Sequence, residues 1–241
     1  MKPAKFVIIF AAFPLLIGTA SALTPFNDNF NATALNKIRW TLKNYAKGKL
    51  MQGGGKMNFT VAGSPTGDDF SVLELKNNRP GYNESWEVIL DVVNTTGQGN
   101  RVGTGLLVFN ADDDEDQVML EFNGRGRKGG FLVTDVTNDR DDPMQDIRVN
   151  PNVTKGSVRI TFDKTSKLFT FWYDSTGPAD GLVWKQLSTF SPTGKGGDRR
   201  GNWQMNPGAG RFGIQLFGLS DGRSVSSGKV SFDNFKLKPL L

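Results

Sequence analysis

Glu87 and Asp91 are the acidic residues whose spacing comes nearest to a working carboxylate pair. Side chains alternate across a strand, so the two carboxylates share one face if this segment is extended. Regular strand geometry separates them by about 13 Å, whereas two-carboxylate hydrolysis of a glycosidic bond needs about 5–5.5 Å or about 6.5–9.5 Å. A bulge, or a cross-strand carboxylate such as Glu121, would have to close the gap. A catalytic set of these three residues and a row of exposed strand carboxylates are both open interpretations.

Two residue types are missing from the sequence, which contains no histidine and no cysteine. The lack of histidine excludes Ser-His-Asp triads, Cys-His pairs and His-ligated zinc, iron or copper. Catalysis would have to use carboxylates, Tyr, Lys, Arg or a bound hard cation. The lack of cysteine means that an exported domain must be stable without disulfides, which favours a bacterial extracellular or envelope protein over a secreted animal domain.

Tryptophans are candidates for flat surfaces that stack on sugar rings. Trp203 lies in a polar segment between Asn202 and Gln204, which predicts an exposed ring, with Arg200 and Asn202 beside it to orient a ligand by hydrogen bonds. Trp86 is the second choice. The alternative is that both rings belong to the core, where most large aromatic side chains lie.

The strand predicted around Trp172 has apolar side chains on both faces. Leu168, Thr170 and Trp172 alternate with Phe169, Phe171 and Tyr173. This pattern predicts a central strand that is covered on both sides.

Charged residues cluster in several loops. Acidic residues 112–116 offer oxygen ligands that suit Ca²⁺, although they lack the spaced ligands of an EF-hand. A solvated hairpin tip is the alternative. Basic clusters at residues 125–128 and 199–200 would suit an anionic polysaccharide, and solvated loops are again the alternative.

The first 22 residues have the features of a secretory signal peptide. Lys2 and Lys5 precede an apolar run at residues 6–17, and Ala20-Ser21-Ala22 forms a small-residue cleavage site. The run is shorter than the roughly 18–20 residues of a membrane span. We therefore expect cleavage before Leu23, no membrane span afterwards, and a location outside the cell or in the periplasm or envelope.

Residues 23–241 are expected to form one domain, since about 200–250 residues can form a single all-β unit. The whole chain has 29 basic and 24 acidic residues. Removing Lys2 and Lys5 leaves 27 basic residues, so the mature net charge is 27 − 24, or +3. Such a mild charge, without a basic helix or a stacking module, argues against nucleic acid as a partner.

Alternating apolar and polar residues predict about a dozen short strands separated by glycine-rich gaps. No longer stretch has helical periodicity. The tripeptide Asp-Asn-Phe occurs at residues 28–30 and again at residues 233–235, which leads us to expect that the two chain ends pair as neighbouring strands. The pattern predicts an all-β, two-sheet antiparallel β-sandwich or jelly roll.

Several motifs, taken in order, carry a family likeness. Phe26-Asn-Asp-Asn-Phe30 is followed by Trp40, then by the segment at residues 105–122, by Gly210-Arg-Phe-Gly-Ile214 and by the terminal Val-Ser-Phe-Asp-Asn-Phe. This order resembles the concanavalin A-like lectin/glucanase superfamily, including its laminin G-like branches. The resemblance implies two curved sheets with a concave face that often meets carbohydrate, but it implies no particular activity.

The resemblance also implies where a metal and a catalytic motif would lie. A structural Ca²⁺ often sits where the terminal strands meet, which here places Asp28 and Asp233 as ligands; hydrogen bonds from these carboxylates to nearby backbone amides are the alternative. The glucanase motif Glu-x-Asp-x-Glu is broken, because Ile89 stands at the central Asp position.

These observations lead us to expect a secreted, non-catalytic carbohydrate-binding or adhesion-type module whose partner is an extracellular polysaccharide. Two alternatives stay open. One is a carboxylate-based glycan hydrolase or lyase of the same fold, and the other is a structural envelope domain without a ligand.

Overall fold

Alternating side chains produce a chain whose regular secondary structure is almost entirely β-strand. The computed structural model describes residues 23–136, 147–194, 196–197 and 199–240; the expected signal peptide lies outside these residues. Within them, sixteen strands and two 3₁₀ turns, Gly99–Arg101 and Pro178–Asp180, form. The strands are β1 Phe26–Asp28, β2 Trp40–Tyr45, β3 Gly48–Gln52, β4 Met57–Val61, β5 Asp69–Leu75, β6 Trp86–Asn94, β7 Val102–Asn110, β8 Asp113–Phe122, β9 Phe131–Val136, β10 Ile147–Val149, β11 Lys155–Asp163, β12 Leu168–Asp174, β13 Lys185–Ser191, β14 Arg199–Arg200, β15 Phe212–Ser220 and β16 Val225–Pro239.

The strands form two sheets that pack face to face. The nine-stranded sheet has the order β14-β13-β12-β11-β6-β16-β4-β3, with β1 paired to β16, and the seven-stranded sheet has the order β10-β9-β8-β7-β15-β5-β2. The strand pairs are antiparallel except for the short β13–β14 pair, which is parallel. The expected two-sheet antiparallel β-sandwich is confirmed.

The two ends of the described chain meet in the nine-stranded sheet. β1 pairs antiparallel with β16, and Asp28 lies opposite Phe235. β16 continues along β6 on one side and β4 on the other. The expected pairing of the terminal strands is therefore confirmed.

An aromatic layer fills the space between the sheets. Trp86 of β6 lies 6.0 Å from the Phe162 ring and 5.6 Å from the Phe212 ring, centroid to centroid, which joins the two sheets. Phe169 packs against the same rings. Aromatic pairs of this kind contribute about 0.5–1.5 kcal/mol each beyond their burial. This layer fixes which face of each strand points away from the core.

The acidic run differs from the expected hairpin tip. β7 ends at Asn110 and β8 already begins at Asp113, so residues 113–116 are part of a strand. The pairing of β7 with β8 shifts in register between Phe109 and Asn110, and Asp116 is buried while Asp114 and Glu115 are exposed. The buried Asp116 is therefore not part of a solvated hairpin tip.

No helix within the part of the chain that the structure describes has the length and apolar character needed to cross a bilayer.

Asp174, at the end of β12, anchors the segment that leads to β13. Its carboxylate accepts backbone hydrogen bonds from Thr176 at 2.8 Å, Gly177 at 3.2 Å and Val183 at 2.6 Å. Burial alone would raise the pKa of Asp174, but these hydrogen bonds and that of the Thr176 hydroxyl outweigh it and hold the pKa below its ordinary value.

We predict that Asp174→Asn lowers the free energy of unfolding at neutral pH by about 1–3 kcal/mol, because an amide cannot accept all of these bonds. The folded-state pKa is depressed, so this stabilisation is present above the unfolded pKa of about 3.9 and is lost as pH falls through the folded value. Urea unfolding at several pH values measures it. Asp221→Asn, which changes an exposed carboxylate, is the control, and an equal loss in both variants would contradict the prediction.

Candidate functional site

The two tryptophans that the sequence favoured as sugar contacts are buried. Trp203 is 2% exposed and packs 5.4 Å from the Phe190 ring and 5.9 Å from the Phe169 ring. Trp86 is 0% exposed. Neither ring has a free face, so the expectation of an exposed Trp203 is wrong, and Trp86 is likewise a core residue.

The polar neighbours of Trp203 misled the sequence interpretation. Arg200 and Asn202 are exposed as expected, but Trp203 turns inward between them and Gln204. Its backbone N–H donates to the Pro192 carbonyl at 2.8 Å, which holds this segment against the chain that leaves β13. The prediction of an exposed ring rested on the polar neighbours of Trp203. Those neighbours are exposed, whereas the Trp203 ring is buried.

Glu87 is a buried, ion-paired carboxylate. One of its oxygens lies 2.5 Å from an Arg159 guanidinium nitrogen, and the other lies 2.9 Å from Lys238 Nζ. The side chain is 5% exposed. A buried carboxylate requires such compensation, and both oxygens are consequently engaged by cations.

Asp91 lies on the same face of β6 but is held by different partners. Its two oxygens accept hydrogen bonds from Ser157 Oγ at 2.5 Å and from Asn234 Nδ2 at 2.8 Å. β6 pairs with β11 without a register shift from Trp86 to Val93. The separation between Glu87 and Asp91 therefore stays at about 13 Å of regular strand.

Glu121 belongs to the other sheet. It lies on β8, opposite Gly105 of β7, in the seven-stranded sheet, whereas Glu87 lies in the nine-stranded sheet. The chain crosses between the sheets after β6, so carboxylates on β6 and β8 are not cross-strand neighbours. The expectation that Glu121 closes the gap to Glu87 or Asp91 is wrong.

A different group of side chains forms a surface on the outer face of the nine-stranded sheet. Arg159 of β11 lies opposite Trp172 of β12, and its guanidinium carbon is 5.6 Å from the ring centroids of both Trp172 and Trp184. Both tryptophans are half-buried. Together with Glu87 and Lys238, these residues form what we call the tryptophan–arginine surface.

Local strand geometry explains how this surface forms. Phe169 and Phe171 of β12 face the core, so Trp172 faces outward. A register shift between Phe171 and Trp172 in the pairing with β13 marks a bulge beside the ring. The expectation that β12 is covered on both faces is therefore wrong.

The tryptophan–arginine surface is held by several interactions. Trp172 Nε1 donates to Thr161 Oγ1 at 3.2 Å, and Arg159 is fixed by the ion pair with Glu87. Cation–π contacts of this type contribute about 0.5–1 kcal/mol at exposed sites and more when desolvated. Exposed Leu182 and Val183 extend the apolar area beside Trp184.

The outer face of the seven-stranded sheet has a different character. A second apolar cluster covers it, formed by Val72, Leu107, Phe109 and Phe217. The two phenylalanines are only 6% and 0% exposed, so these rings offer little area for stacking. Glu74 beside them is already bound by Lys43 at 2.9 Å and Arg79 at 3.0 Å.

The carboxylates expected to bind Ca²⁺ take part in hydrogen bonds. Asp28 accepts from Trp40 Nε1 and from the Phe30 backbone, both at 2.8 Å, and Asp233 accepts from the Asn234 backbone at 2.7 Å. Among the described residues, no group of three or more His, Cys, Asp or Glu side chains could hold a metal. The residues thus fit a cation poorly, and Ca²⁺ at Asp28 and Asp233, or at residues 112–116, stays a prediction.

Asp233 nevertheless lies in an environment that disfavours its charge. Burial raises its pKa above the ordinary value, the Asn234 backbone hydrogen bond opposes this, and the carboxylates of Asp91 and Asp28 raise the pKa further. A bound cation would relieve this repulsion, and so would removal of the charge.

We predict that, without added metal, Asp233→Asn raises the melting temperature at neutral pH. The folded-state pKa is raised, so the charged carboxylate costs stability above that pKa, and the cost vanishes below the unfolded pKa of about 3.9. The difference between variant and wild type should therefore shrink as the pH is lowered. A variant that melts below the wild type at neutral pH would contradict this.

The comparisons with known proteins identify the fold. No protein-family model and no curated protein matches the chain, but solved structures do. A GH43B protein of the Bacteroides ovatus xyloglucan PUL superposes with a TM-score of 0.61 at 18% identity, over 95% of this chain and 42% of that chain. Lectin I-B4 from Griffonia simplicifolia superposes with a TM-score of 0.58 at 12% identity, over 90% and 100%.

The carbohydrate recognition domain of Emp46p is also similar, with a TM-score of 0.55 at 14% identity over 87% of this chain and 94% of that domain. The chain therefore has the concanavalin A-like β-sandwich fold that its motifs resembled. It spans less than half of the GH43 protein, but all of lectin I-B4 and nearly all of the Emp46p domain. Lectins and GH43 proteins are both among the solved structures that share this fold.

Proposed function

We propose that this protein is a non-catalytic glycan-binding module that acts outside the cytoplasm. The observation that carries the proposal is the tryptophan–arginine surface, where two half-exposed indole rings flank one guanidinium on a rigid sheet. The expected signal peptide supports export to the exterior, periplasm or envelope.

The chemistry of this surface suits a sugar. The apolar C–H face of a pyranose packs on an indole ring, while its hydroxyls need polar partners at the rim. Arg159 and Lys238 supply hydrogen-bond donors at this surface, and buried Glu87 holds both of them. Their mutual ion pairs fix their orientation before a ligand arrives, which lowers the entropic cost of binding.

The carboxylate arrangement favours binding over hydrolysis. Glu87 is held by two cations, and its only acidic neighbour on the same face of β6 is Asp91, at about 13 Å. A glycan hydrolase is the second candidate, favoured by the structural similarity to GH43 proteins. Those enzymes are more than twice as long as the part that this chain matches, so their activity is not transferred to it.

We predict that Trp184→Ala weakens glycan binding about tenfold, since loss of one stacked ring corresponds to roughly 1–2 kcal/mol. Trp184 precedes β13 and is half-exposed. Its replacement by Ala should therefore lower the melting temperature much less than Trp203→Ala, which leaves a cavity in the core. A glycan array identifies a ligand for the protein from residue 23 onward, and calorimetry then compares the variants.

Tyr45→Ala is the matched control, because Tyr45 is an exposed aromatic residue on the seven-stranded sheet. Loss of binding in Tyr45→Ala but not in Trp184→Ala would place the ligand on the other sheet. Failure of every glycan to bind would favour the structural envelope domain. Release of reducing ends that Glu87→Gln abolishes would establish the hydrolase.

A further inference from the structure

A cleft lies away from the tryptophan–arginine surface, between residues 23–26 and the loop at residues 76–79. Its volume is about 510 Å³, and Arg39 and Arg211 complete its lining. Ligand pockets typically have volumes of about 300–1,000 Å³. The cleft is therefore large enough for one or two sugar units.

The charge in this cleft is one-sided. Its lining includes the cations Arg39, Lys76, Arg79 and Arg211 and no carboxylate. Two carboxylates that lie outside the lining pair with these cations. Glu74 lies 3.0 Å from Arg79, and Glu84 lies 3.3 Å from Arg211. Two of the four cations are thus partly compensated.

The other two cations, Arg39 and Lys76, are exposed and form no ion pair within the described residues. Arg39 lies over the Phe26 ring at 5.2 Å, and Lys76 Nζ donates to the Lys37 carbonyl at 2.8 Å. These contacts hold both side chains near the cleft without neutralising their charge, so the cleft keeps a net positive charge.

Hydrogen bonds fix the walls of the cleft. The Thr24 backbone N–H donates to Asn78 Oδ1 at 3.0 Å, and Asn78 Nδ2 donates back to the Thr24 carbonyl at 2.6 Å. The Leu23 backbone N–H donates to Glu84 Oε1 at 3.0 Å. The N-terminal segment is thereby tied to the loop that carries Arg79, which preorganises the site.

We propose that this cleft binds the oxyanion of an acidic sugar, either a uronate carboxylate or a sulfate ester. Arginines held in place by ion pairs present their remaining N–H groups in the planar arrangement that matches an oxyanion, and exposed Arg39 and Lys76 add charge at the rim. The site lies on other segments than the tryptophan–arginine surface, so it does not depend on the function proposed for that surface.

Calorimetric titration at low salt with glucuronate, glucose 6-sulfate and neutral glucose tests the proposal. We expect at least one acidic sugar to bind and glucose not to bind. Arg39→Ala combined with Lys76→Ala should weaken the binding at least tenfold, because charge-assisted hydrogen bonds are lost. Added salt should weaken it as well.

The matched control is Lys49→Ala with Lys229→Ala, which removes two exposed positive charges elsewhere. Binding within about twofold of wild type in this control supports the cleft. Equal weakening in both double variants, or no binding of either acidic sugar, overturns the proposal. Trp184→Ala should leave the binding of the acidic sugar unchanged. Loss of that binding in Trp184→Ala would place the anion at Arg159 instead.

A separate observation concerns the N-terminal residue of the expected mature chain. The Leu23 side chain is 6% exposed within the core, and its backbone nitrogen lies 3.0 Å from Glu84 Oε1. The other Glu84 oxygen accepts from the Gly81 backbone at 2.7 Å and lies 3.3 Å from Arg211. A carboxylate is thus already fixed at the nitrogen that cleavage before Leu23 would release.

We also propose that removal of residues 1–22 converts this hydrogen bond into an ion pair between the Leu23 α-ammonium and Glu84. The proposal rests on cleavage before Leu23. An amide donates one neutral hydrogen bond, whereas an ammonium group adds a full charge and makes the bond charge-assisted. Processing would then stabilise the segment that walls the cleft.

A comparison of the protein that begins at Leu23 with one that begins at Ala22 tests this second proposal. We expect the Leu23 form to melt about 2 °C or more higher at pH 6. The ammonium is favoured in the folded state, so the gain is present below the ordinary α-amino pKa of about 7.7–8.0 and is lost as pH rises through the folded value.

Glu84→Gln provides the control for this pair, since it removes the charge and keeps most of the shape. The difference between the Leu23 and Ala22 forms should disappear in that background. Equal melting temperatures of the two forms at pH 6, or a difference that survives in Glu84→Gln, would overturn the ion pair.

Discussion

The aromatic layer between the two sheets is the interaction on which the rest of the structure depends. Trp86, Phe162 and Phe212 pack within about 6 Å of one another across the core. Their burial fixes the register of β6, β11 and β15, because a shift by one residue would turn every side chain to the opposite face. Arg159 and Trp172 face outward as a direct consequence.

Charge compensation determines what the outward faces can do. Glu74, Glu84 and Glu87 each bind at least one cation at 2.5–3.3 Å, since a carboxylate at a partly desolvated position needs a partner. These acids therefore position arginines and lysines. The groups left to meet a ligand are half-exposed indole rings on one sheet and guanidinium groups in a cleft, a combination that suits carbohydrate better than it suits two-carboxylate catalysis.

The structural neighbours are informative at the level of fold. Lectins and GH43 proteins share the sandwich at 10–18% identity, and a shared fold does not by itself assign a function. In this chain an apolar cluster covers much of the outer face of the seven-stranded sheet, whereas two half-exposed tryptophans flank an arginine at the other sheet. The difference between the two faces is what directs the proposed glycan site to the nine-stranded sheet.

The sequence by itself determined the strands, the two-sheet class and the pairing of the chain ends, because alternation with a period of two is a local property of the residues. The same alternation could not show that Trp203 is core and Trp172 is not, or that Glu121 lies in the other sheet from Glu87. It also could not bring Leu23 to Glu84, which is 61 residues away in the chain. Those outcomes depend on which strands become neighbours and which face the sandwich covers, and only the tertiary structure decides both.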